Sequence, residues 1–377
     1  MRQLASIQTI TELNPIEGAD KIESAKILGW QCVVKKGEFH VGEHVVYFEI
    51  DSIIPEEILK KANLWDNEKN KGMLGRKSGQ VLTTRKFRGS ISQGLVLPFQ
   101  VLVSPNIKIT EGMDLTEILK IEKYEKYVEP DNIPGQVNKK RSWQYKLAQK
   151  FKPAVFFLSK YISWFEKFIG TGGPFPHYIP RTDQTRIQNL TKEWHVLSEF
   201  EYEVTEKMEG TSATYFFHNG DYGVCSRNLR LSNSIENHFG IIQKKHDIFK
   251  KLKKYKKNIA IQGEIIGPSI QGNYYSLSEH QLRIFDIYLI DEQRYALPFE
   301  RLGILNDLGF TEEQHSPILS YVDYLPKGKT VEDILNMADK KSVINNKVDR
   351  EGIVFKSLKT QRSFKAISNS YLLKQKD

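Results

Sequence analysis

The segment from residue 200 to residue 227 restricts the possible fold more than any other part of the chain. Apolar and polar side chains alternate over residues 200–205, and this period of two predicts a half-buried β-strand that ends at Lys207. An apolar run follows, and Asn219-Gly220 then supplies the turn chemistry of a β-hairpin. The returning strand brings Arg227 back towards Lys207, so the pattern predicts an antiparallel sheet with two cations near one strand end.

The length and punctuation of the sequence predict more than one domain. A chain of 377 residues is too long for one typical core. Residues 1–120 carry short β-type segments separated by turn residues, typical of a small antiparallel barrel or sandwich. Residues 121–178 begin as a polar linker and continue with apolar residues at helical spacing, so they are predicted to be a helical connector. With residues 179–377 as a domain of antiparallel sheets and helices, the predicted class is α+β.

The composition excludes some classes of protein. The 55 Lys and Arg residues outnumber the 46 Asp and Glu residues, and the resulting charge of +9 favours a polyanionic partner. Cys32 and Cys225 are the only cysteines, which excludes a disulfide framework and a cysteine-based zinc site. The most apolar run, residues 153–170, contains three charged residues, so no membrane span is expected. We expect an intracellular, cytoplasmic protein that acts as a monomer.

Two segments of the first region, residues 16–22 and 87–94, resemble the tRNA-binding type of OB-fold. OB barrels bind oligonucleotides on one face, so the resemblance implies an RNA-binding domain in front of the second region. Phosphate contacts would then come from five basic side chains: Arg76, Lys77, Arg85, Lys86 and Arg88. The alternative interpretation is that these cations form the solvated edge of a barrel.

Lys207 and Gly210 form a K-x-x-G pattern that fits a lysine nucleophile. A lysine amine attacks only when it is neutral, so its neighbours must lower its pKa from about 10.4. The glycine allows backbone to approach closely. The pattern alone identifies nothing, because four other lysines satisfy it: Lys26, Lys69, Lys86 and Lys167.

Two carboxylates downstream add a feature that the other lysines lack. Glu264 ends an apolar, strand-like run, where unpaired burial of its charge would be costly, so it must accept hydrogen bonds or bind a metal. Glu351 precedes another strand-like run and is the second carboxylate that a site for Mg²⁺ requires, since Mg²⁺ prefers few carboxylates with phosphates and water. Phe285, on a further strand, is either a core residue or a stacking surface.

In chain order these segments resemble the nucleotidyltransferase motifs I, Ia, III, IIIa, IV and V of ATP-dependent RNA ligases. The matching segments are Glu206–Gly210, Ser226–Asn228, Gly263-Glu264, Phe285–Ile287, Glu351–Lys356 and Phe364-Lys365. Residues 182–189 also resemble the opening of that ligase domain. With an OB-like region in front, the chain resembles the nick-sealing RNA ligase 5 family, the Deinococcus type.

The resemblance implies an enzyme of RNA repair that uses ATP with Mg²⁺ or Mn²⁺. Lys207 would attack the α-phosphorus of ATP to form lysyl-AMP, the AMP would pass to an RNA 5′-phosphate, and a 3′-hydroxyl would displace it, at nicks in duplexes. Lys207 would be the catalytic residue and Glu351 would help to hold metal. The residues expected to bind the nucleotide are Glu206, Gly210, Arg227, Glu264, Phe285, Glu351, Lys356 and Lys365.

Within that set, the resemblance places Glu264 on the ribose hydroxyls and Phe285 on adenine. Lys356 and Lys365 would hold phosphate oxygens, and Arg227 would lie beside Lys207 or the ribose. The chain also departs from the family pattern. Glu209 stands where many ligases have aspartate, and the second lysine of motif V is missing because position 367 is Ile, with Lys356 as a possible substitute.

Three other functions are compatible with parts of the sequence. A DNA ligase and an mRNA capping guanylyltransferase belong to the same superfamily, but in those families the OB domain follows the nucleotidyltransferase core. A non-catalytic OB-type RNA-binding protein with a degenerate second domain is the third. The intact Lys207, Glu264 and Glu351 argue against it.

Overall fold

The structure is a computed structural model that describes residues 2–102, 109–124, 173–231, 237–319 and 323–374. Most of the predicted helical connector, residues 125–172, lies outside the described residues. The described strands fall into two groups, one on each side of this stretch. The exact limits of the predicted domains stay predictions.

The first group forms a half-barrel, as the spacing of short β-type segments predicts. Its elements are β1 (Ala5–Pro15), β2 (Ile22–Ile27), β3 (Trp30–Lys35), β4 (His44–Glu49), β5 (Ser52–Ile53), α1 (Glu56–Lys61), β6 (Trp65–Asp66), β7 (Lys71–Gly72), β8 (Arg85–Phe87), β9 (Ser90–Ser92), β10 (Gly94–Pro98), α2 (Phe99–Leu102) and β11 (Glu122–Lys123). The main antiparallel sheet has the order β10-β4-β1-β2-β3. Strand β1 pairs with β4 and then with β2, and a bulge between Ile10 and Glu12 bends it from one partner to the other.

The second group forms two sheets. Their elements are β12 (Thr185–Arg186), a 3₁₀ turn (Ile187–Leu190), α3 (Trp194–Leu197), β13 (Tyr202–Lys207), β14 (Thr211–His218), β15 (Asp221–Cys225), β16 (Arg230–Leu231), α4 (His238–Lys245), α5 (Ile248–Tyr255), β17 (Ile259–Ile266), β18 (Gln281–Leu289), β19 (Arg294–Tyr295), α6 (Pro298–Asp307), a 3₁₀ turn (Glu312–Gln314), α7 (Val331–Ala338), β20 (Gly352–Ser357), β21 (Ser363–Ile367) and α8 (Asn369–Lys374). One sheet has the order β12-β21-β20-β13 and the other β16-β15-β14-β17-β18-β19. This arrangement confirms the predicted α+β class.

The two sheets meet through polar residues, such as Lys356 of β20 paired with Asp286 of β18, and we call the region between the sheets the cleft. One face of the six-stranded sheet is covered by α4, α5 and α6 around residues such as Tyr215, Ile261 and Leu252. The outer face of the four-stranded sheet packs on α7 through Phe355 and Ile334. The opposite faces of the two sheets carry the polar residues of strands β13, β17, β18 and β20.

Two local predictions need correction. Strand β13 is buried on both faces rather than half-buried, because α7 covers one face and the second sheet the other. The apolar spacing over residues 232–255, with Ile241, Ile242, Phe249 and Leu252, predicts one amphipathic helix. The described part forms two helices, α4 and α5, and Asp247 between them takes a left-handed backbone with φ 50°. In contrast, the proline that opens residues 55–62 predicts a short helix there, and α1, which begins directly after Pro55, confirms it.

The half-barrel packs directly on the second region. The Trp30 indole donates to the Asn189 side chain at 2.6 Å, and the Gly29 backbone donates to Gln188 at 2.9 Å. A Cβ at Gly29 would lie 2.8 Å from the Gln188 Cα, so only glycine allows this approach. None of the helices in the described ranges is long and apolar enough to cross a membrane.

Candidate functional site

The side chain of Lys207 lies at the end of β13, at the edge of the cleft. In the antiparallel register Lys207 faces Gly352, which places Glu351 beside it, and the Lys207 Nζ lies 2.7 Å from the Glu351 Oε1. The Lys207 side chain is 27% exposed, so its amine is sheltered but accessible. This is the position predicted from the strand pattern of residues 200–207.

Three carboxylates surround the Lys207 amine. Burial by itself lowers the pKa of Lys207, but the charges of Glu351, Glu264 and Glu209 outweigh it, so the pKa lies above its usual range. Burial, opposed by Lys207 and aided by Glu351, raises the pKa of Glu264 to about 8. The Tyr371 hydroxyl donates to the Glu209 carboxylate. The site therefore holds an excess of acid around one amine.

Gly210 allows this crowding. A Cβ at that position would lie 2.4 Å from the Ile265 carbonyl oxygen and 2.8 Å from the Glu264 Cγ. Any larger residue would separate the end of β13 from β17 and so Lys207 from Glu264. The close approach of backbone expected from the K-x-x-G pattern is present.

A second group, of cations, lies on the neighbouring strands. The Lys365 Nζ pairs with the Asp183 Oδ1 at 2.7 Å, and the Arg227 Nη2 lies 4.0 Å from the other oxygen of that carboxylate. Burial, partly offset by Asp183, lowers the pKa of Lys365 to about 8. Arg227 is half exposed, and its charge also reaches Glu264. The hairpin thus brings Arg227 to the same side of the cleft as Lys207.

Arg186 belongs to this cation group, and the sequence pattern did not single it out. It is directly paired with Lys365 in the parallel β12–β21 register. Its Nη2 donates to Asp51 of the half-barrel at 3.1 Å, and Trp30 stacks near its guanidinium, whereas its Nη1 is buried without a hydrogen-bond partner among the described residues. The only available signal was its place in the segment 182–189 that resembles the opening of a ligase domain.

Phe285 sits on a β-bulge in the floor of the cleft. In the β17–β18 register Gln262 faces Asp286 and Gly263 faces Ile284, so Phe285 is the extra residue. Its carbonyl accepts from the Lys356 ammonium and from the Arg301 guanidinium. Lys356 is buried and its Nζ also pairs with the Asp286 Oδ1 at 2.6 Å. Lys356 therefore lies deeper than Lys207 and holds the bulge on which Phe285 is presented.

Glu206 points to the other side of its strand. Its carboxylate accepts from the Ser342 hydroxyl and, at 2.9 Å, from the Val343 backbone. These contacts fix the loop between α7 and β20, which leads into Glu351. The Glu206 side chain does not face the cleft.

The acid group fits a divalent cation with few protein ligands. The Glu351 Oε2 is buried and has no hydrogen-bond partner among the described residues, so one oxygen of this carboxylate is left to accept a ligand. No group of three His, Cys, Asp or Glu residues with metal-holding geometry occurs in the described part of the chain. One carboxylate with water and phosphate ligands is the pattern that Mg²⁺ prefers, so these residues fit Mg²⁺ or Mn²⁺ held together with a phosphate ligand.

Comparison with known proteins agrees with this arrangement. A family model described as RNA ligase matches residues 200–367, and a model of an OB-fold domain matches residues 4–99. The structure of Naegleria gruberi RNA ligase with PPi is similar at a TM-score of 0.78 and 38% identity, covering 99% of this chain and 98% of that one. The chain belongs to the RNA ligase family.

Two mutant structures of the Naegleria gruberi ligase are similar to the same degree. One, with ATP and Mn, has a TM-score of 0.78 and 38% identity over 100% of both chains. Another, with AMP and Mn, has a TM-score of 0.78 and 38% identity over 98% of both chains. The comparison with curated proteins found no match. The predictions of an RNA ligase and of an OB-fold region in front of it are confirmed, whereas the Deinococcus-type subfamily stays a prediction.

Proposed function

We propose that this ligase joins RNA 3′-hydroxyl and 5′-phosphate ends with ATP, through AMP held covalently on Lys207. The observation that carries the proposal is the position of the Lys207 amine, close to both an acid group (Glu351, Glu264, Glu209) and a cation group (Lys365, Arg227, Arg186). The cations suit the phosphates of ATP, and the acids suit a divalent cation that accompanies those phosphates. The ATP- and AMP-containing structures of the Naegleria gruberi ligase support the same assignment.

In the first step the Lys207 amine attacks the α-phosphorus of ATP. The N–P bond forms, the bond from the α-phosphorus to the α,β-bridging oxygen breaks, and pyrophosphate leaves. The ammonium must lose one proton to solvent before it attacks and a second once the N–P bond has formed, although the surrounding carboxylates raise its pKa. A Mg²⁺ or Mn²⁺ ion beside Glu351 would offset those charges and stabilise the transferring phosphoryl group. Lys365 and Arg227 would hold phosphate oxygens on the other side.

The remaining nucleotide contacts would come from residues of β17, β18 and β20 and from the segment around Gly210. Glu264 would accept from the ribose hydroxyls, and the ring of Phe285, whose centroid lies 5.5 Å from the Lys356 Nζ, would stack on adenine. Lys356 would contribute by holding the bulge and by its charge. Gly210 would keep the backbone close to the nucleotide. Glu206 would act indirectly, through the loop that positions Glu351.

Two further transfers complete the reaction. An oxygen of the RNA 5′-phosphate attacks the phosphorus of lysyl-AMP, the N–P bond breaks, and the amine recovers its protons. The adjacent 3′-hydroxyl then attacks the RNA phosphorus, AMP leaves, and a phosphodiester bond forms. We propose a nick in duplex RNA as the substrate, and RNA repair as the role, because an OB-fold region packs beside the site and would hold the duplex. We further propose that the protein acts as a monomer in the cytoplasm.

The test is adenylate transfer followed by sealing. With α-labelled ATP and Mn²⁺, the wild-type protein is expected to acquire label that survives denaturation, and Lys207→Ala is expected to acquire none. Lys359→Ala, which removes an exposed lysine near the same strand, is the control. Label on Lys207→Ala, or label from GTP rather than ATP, would contradict the proposal. Nicked duplexes with RNA or DNA at the 3′-hydroxyl side, and unpaired RNA ends, then define the substrate.

A further inference from the structure

The β8–β9 hairpin of the OB-fold region is not used by the chemistry described above. Its strands pair through Lys86 and Ile91, and Arg88-Gly89 form the tip with φ 46° and 86°. Two positive φ values define a type I′ turn, for which Asn-Gly is the favoured pair. Arginine at the first position is unfavourable for the turn itself, so its presence calls for another reason.

The tip of this hairpin exposes both charge and an aromatic ring. The Phe87 side chain is 41% exposed, and Lys86 and Arg88 on either side of it are exposed as well. Neither the Lys86 nor the Arg88 side chain forms an ion pair or hydrogen bond with any described residue. A Cβ at Gly89 would meet nothing within 4 Å, so the tip projects into open space. Cations beside an exposed ring are the elements that contact the phosphates and the bases of a nucleic acid strand.

The base of the hairpin lies next to the ligase site. Gln93, the residue after β9, donates through its Nε2 to the Asn369 Oδ1 at 3.0 Å, at the start of α8. Two residues on, the Tyr371 hydroxyl donates to Glu209 of the acid group. One short helix therefore separates the hairpin from the carboxylates around Lys207. A strand held at the hairpin would lie beside the site where its end must react.

We propose that the β8–β9 hairpin grips the RNA strand beside the ends to be joined. Lys86 and Arg88 contact successive phosphates, and Phe87 stacks on a base or ribose of the same strand. This inference rests on the proposed function and specifies the part of the OB-fold region that holds its substrate.

The test measures binding of the full chain to a fluorescent nicked RNA duplex without ATP, between 50 and 200 mM KCl. Lys86→Gln/Arg88→Asn is expected to raise Kd about tenfold and to lower the slope of log Kd against log salt by about 2, one unit for each lost phosphate contact. Arg88→Asn improves the turn, so weaker binding could not be attributed to an unfolded hairpin. Phe87→Ala is expected to raise Kd about tenfold with an unchanged slope, and Phe87→Trp to restore binding.

The matched control is Lys35→Gln/Lys36→Gln, which removes the same charge from exposed positions. These lysines lie at the C-terminal end of β3, whereas β9 contacts β3 at Gln31 and Val33. Hairpin variants that bind no more weakly than this control would overturn the proposal. Self-adenylylation, which needs no RNA, is measured on every protein to report the integrity of the ligase domain. Its loss in the hairpin variants alone would assign the hairpin a structural role and overturn the proposal, whereas its absence in the wild-type protein would contradict the proposed function instead.

Discussion

Two charged clusters occupy the same cleft, and they differ in balance. Deep in the cleft, Lys356 pairs with Asp286, and Arg301 pairs with Glu203 through two hydrogen bonds of 2.9 and 2.6 Å. Two cations thus meet two carboxylates. At the edge, the single amine of Lys207 meets three carboxylates, and an oxygen of one of them has no partner among the described residues.

The difference in charge balance indicates different roles: the inner cluster stabilises the fold, and the outer cluster binds a ligand. A buried charge is tolerated when it is paired and hydrogen-bonded, and the inner cluster meets this condition with the protein alone. The outer cluster does not, and the protein compensates by keeping Glu264 protonated, with a pKa of about 8. The remaining excess of acid beside the amine suits a bound cation. The predictions below are ranked by their effect on the free energy of unfolding.

Breaking the inner cluster should have the largest effect. Arg301→Met leaves Glu203, which is 0% exposed, as a buried charge without its guanidinium, and should lower the free energy of unfolding by about 3–5 kcal/mol. Arg294→Met, which removes a guanidinium from Glu292 and Glu300 at the surface, should cost less than about 1 kcal/mol. Urea unfolding measures both. Equal losses for the two variants would show that the inner pair is no more than a surface pair.

Removing an ionisable carboxyl from the outer cluster should change the free energy of unfolding in the opposite direction. In the folded protein Glu264 keeps its proton up to a pH of about 8, whereas the unfolded chain releases it near 4.5. The folded state therefore loses stability as pH rises between these two values. Glu264→Gln removes this loss and should be more stable than wild type at pH 8 in EDTA, by less than the roughly 5 kcal/mol that the full shift represents, while losing adenylate transfer. Parallel stability–pH curves for the two proteins would contradict the protonated state of Glu264.

The sequence predicted the outer cluster better than the inner one, for a physical reason. Lys207 ends β13 and Gly210 follows it, as periodicity predicts, whereas Glu264 lies two residues before the end of β17; the order of motifs relates them to one another. The Arg301–Glu203 pair joins residues 98 positions apart, and Arg186 joins Asp51 across 135 positions. In both pairs, the residues around one partner give no indication of where in the sequence the other lies.

Two irregularities of the backbone also could not be predicted from the sequence. The bulge at Phe285 depends on the register of two strands, and no turn residue marks it. The left-handed Asp247 divides a run that is amphipathic on both sides, so periodicity alone reads it as one helix. The half-barrel and α1 were predictable because turn residues and a proline mark their limits.

Filling the outer cluster with metal should stabilise the protein by a smaller amount. Mn²⁺ at ten times its Kd should raise the free energy of unfolding by about 1.4 kcal/mol, by mass action. Glu351→Gln should lose most of this increase, since the carboxylate with the unpartnered oxygen is gone. The control Glu201→Gln removes a surface carboxylate that pairs with Lys359 and should keep the full increase. Thermal melts with and without Mn²⁺ give the answer, and an undiminished shift in Glu351→Gln would remove Glu351 from the metal site.

Replacing a whole ion pair of the inner cluster should change stability least. Lys356→Met/Asp286→Leu removes both charges together and leaves no unpaired one, so the free energy of unfolding should change by less than about 1 kcal/mol, whereas Lys356→Met alone should cost more. The Phe285 carbonyl then keeps Arg301 as its donor but loses Lys356. We therefore expect the double variant to self-adenylylate with a KM for ATP that is several-fold higher and a kcat that is little changed. A large fall in kcat in the folded double variant would instead mean that the Lys356 ammonium leaves Asp286 and contacts the reacting phosphates directly.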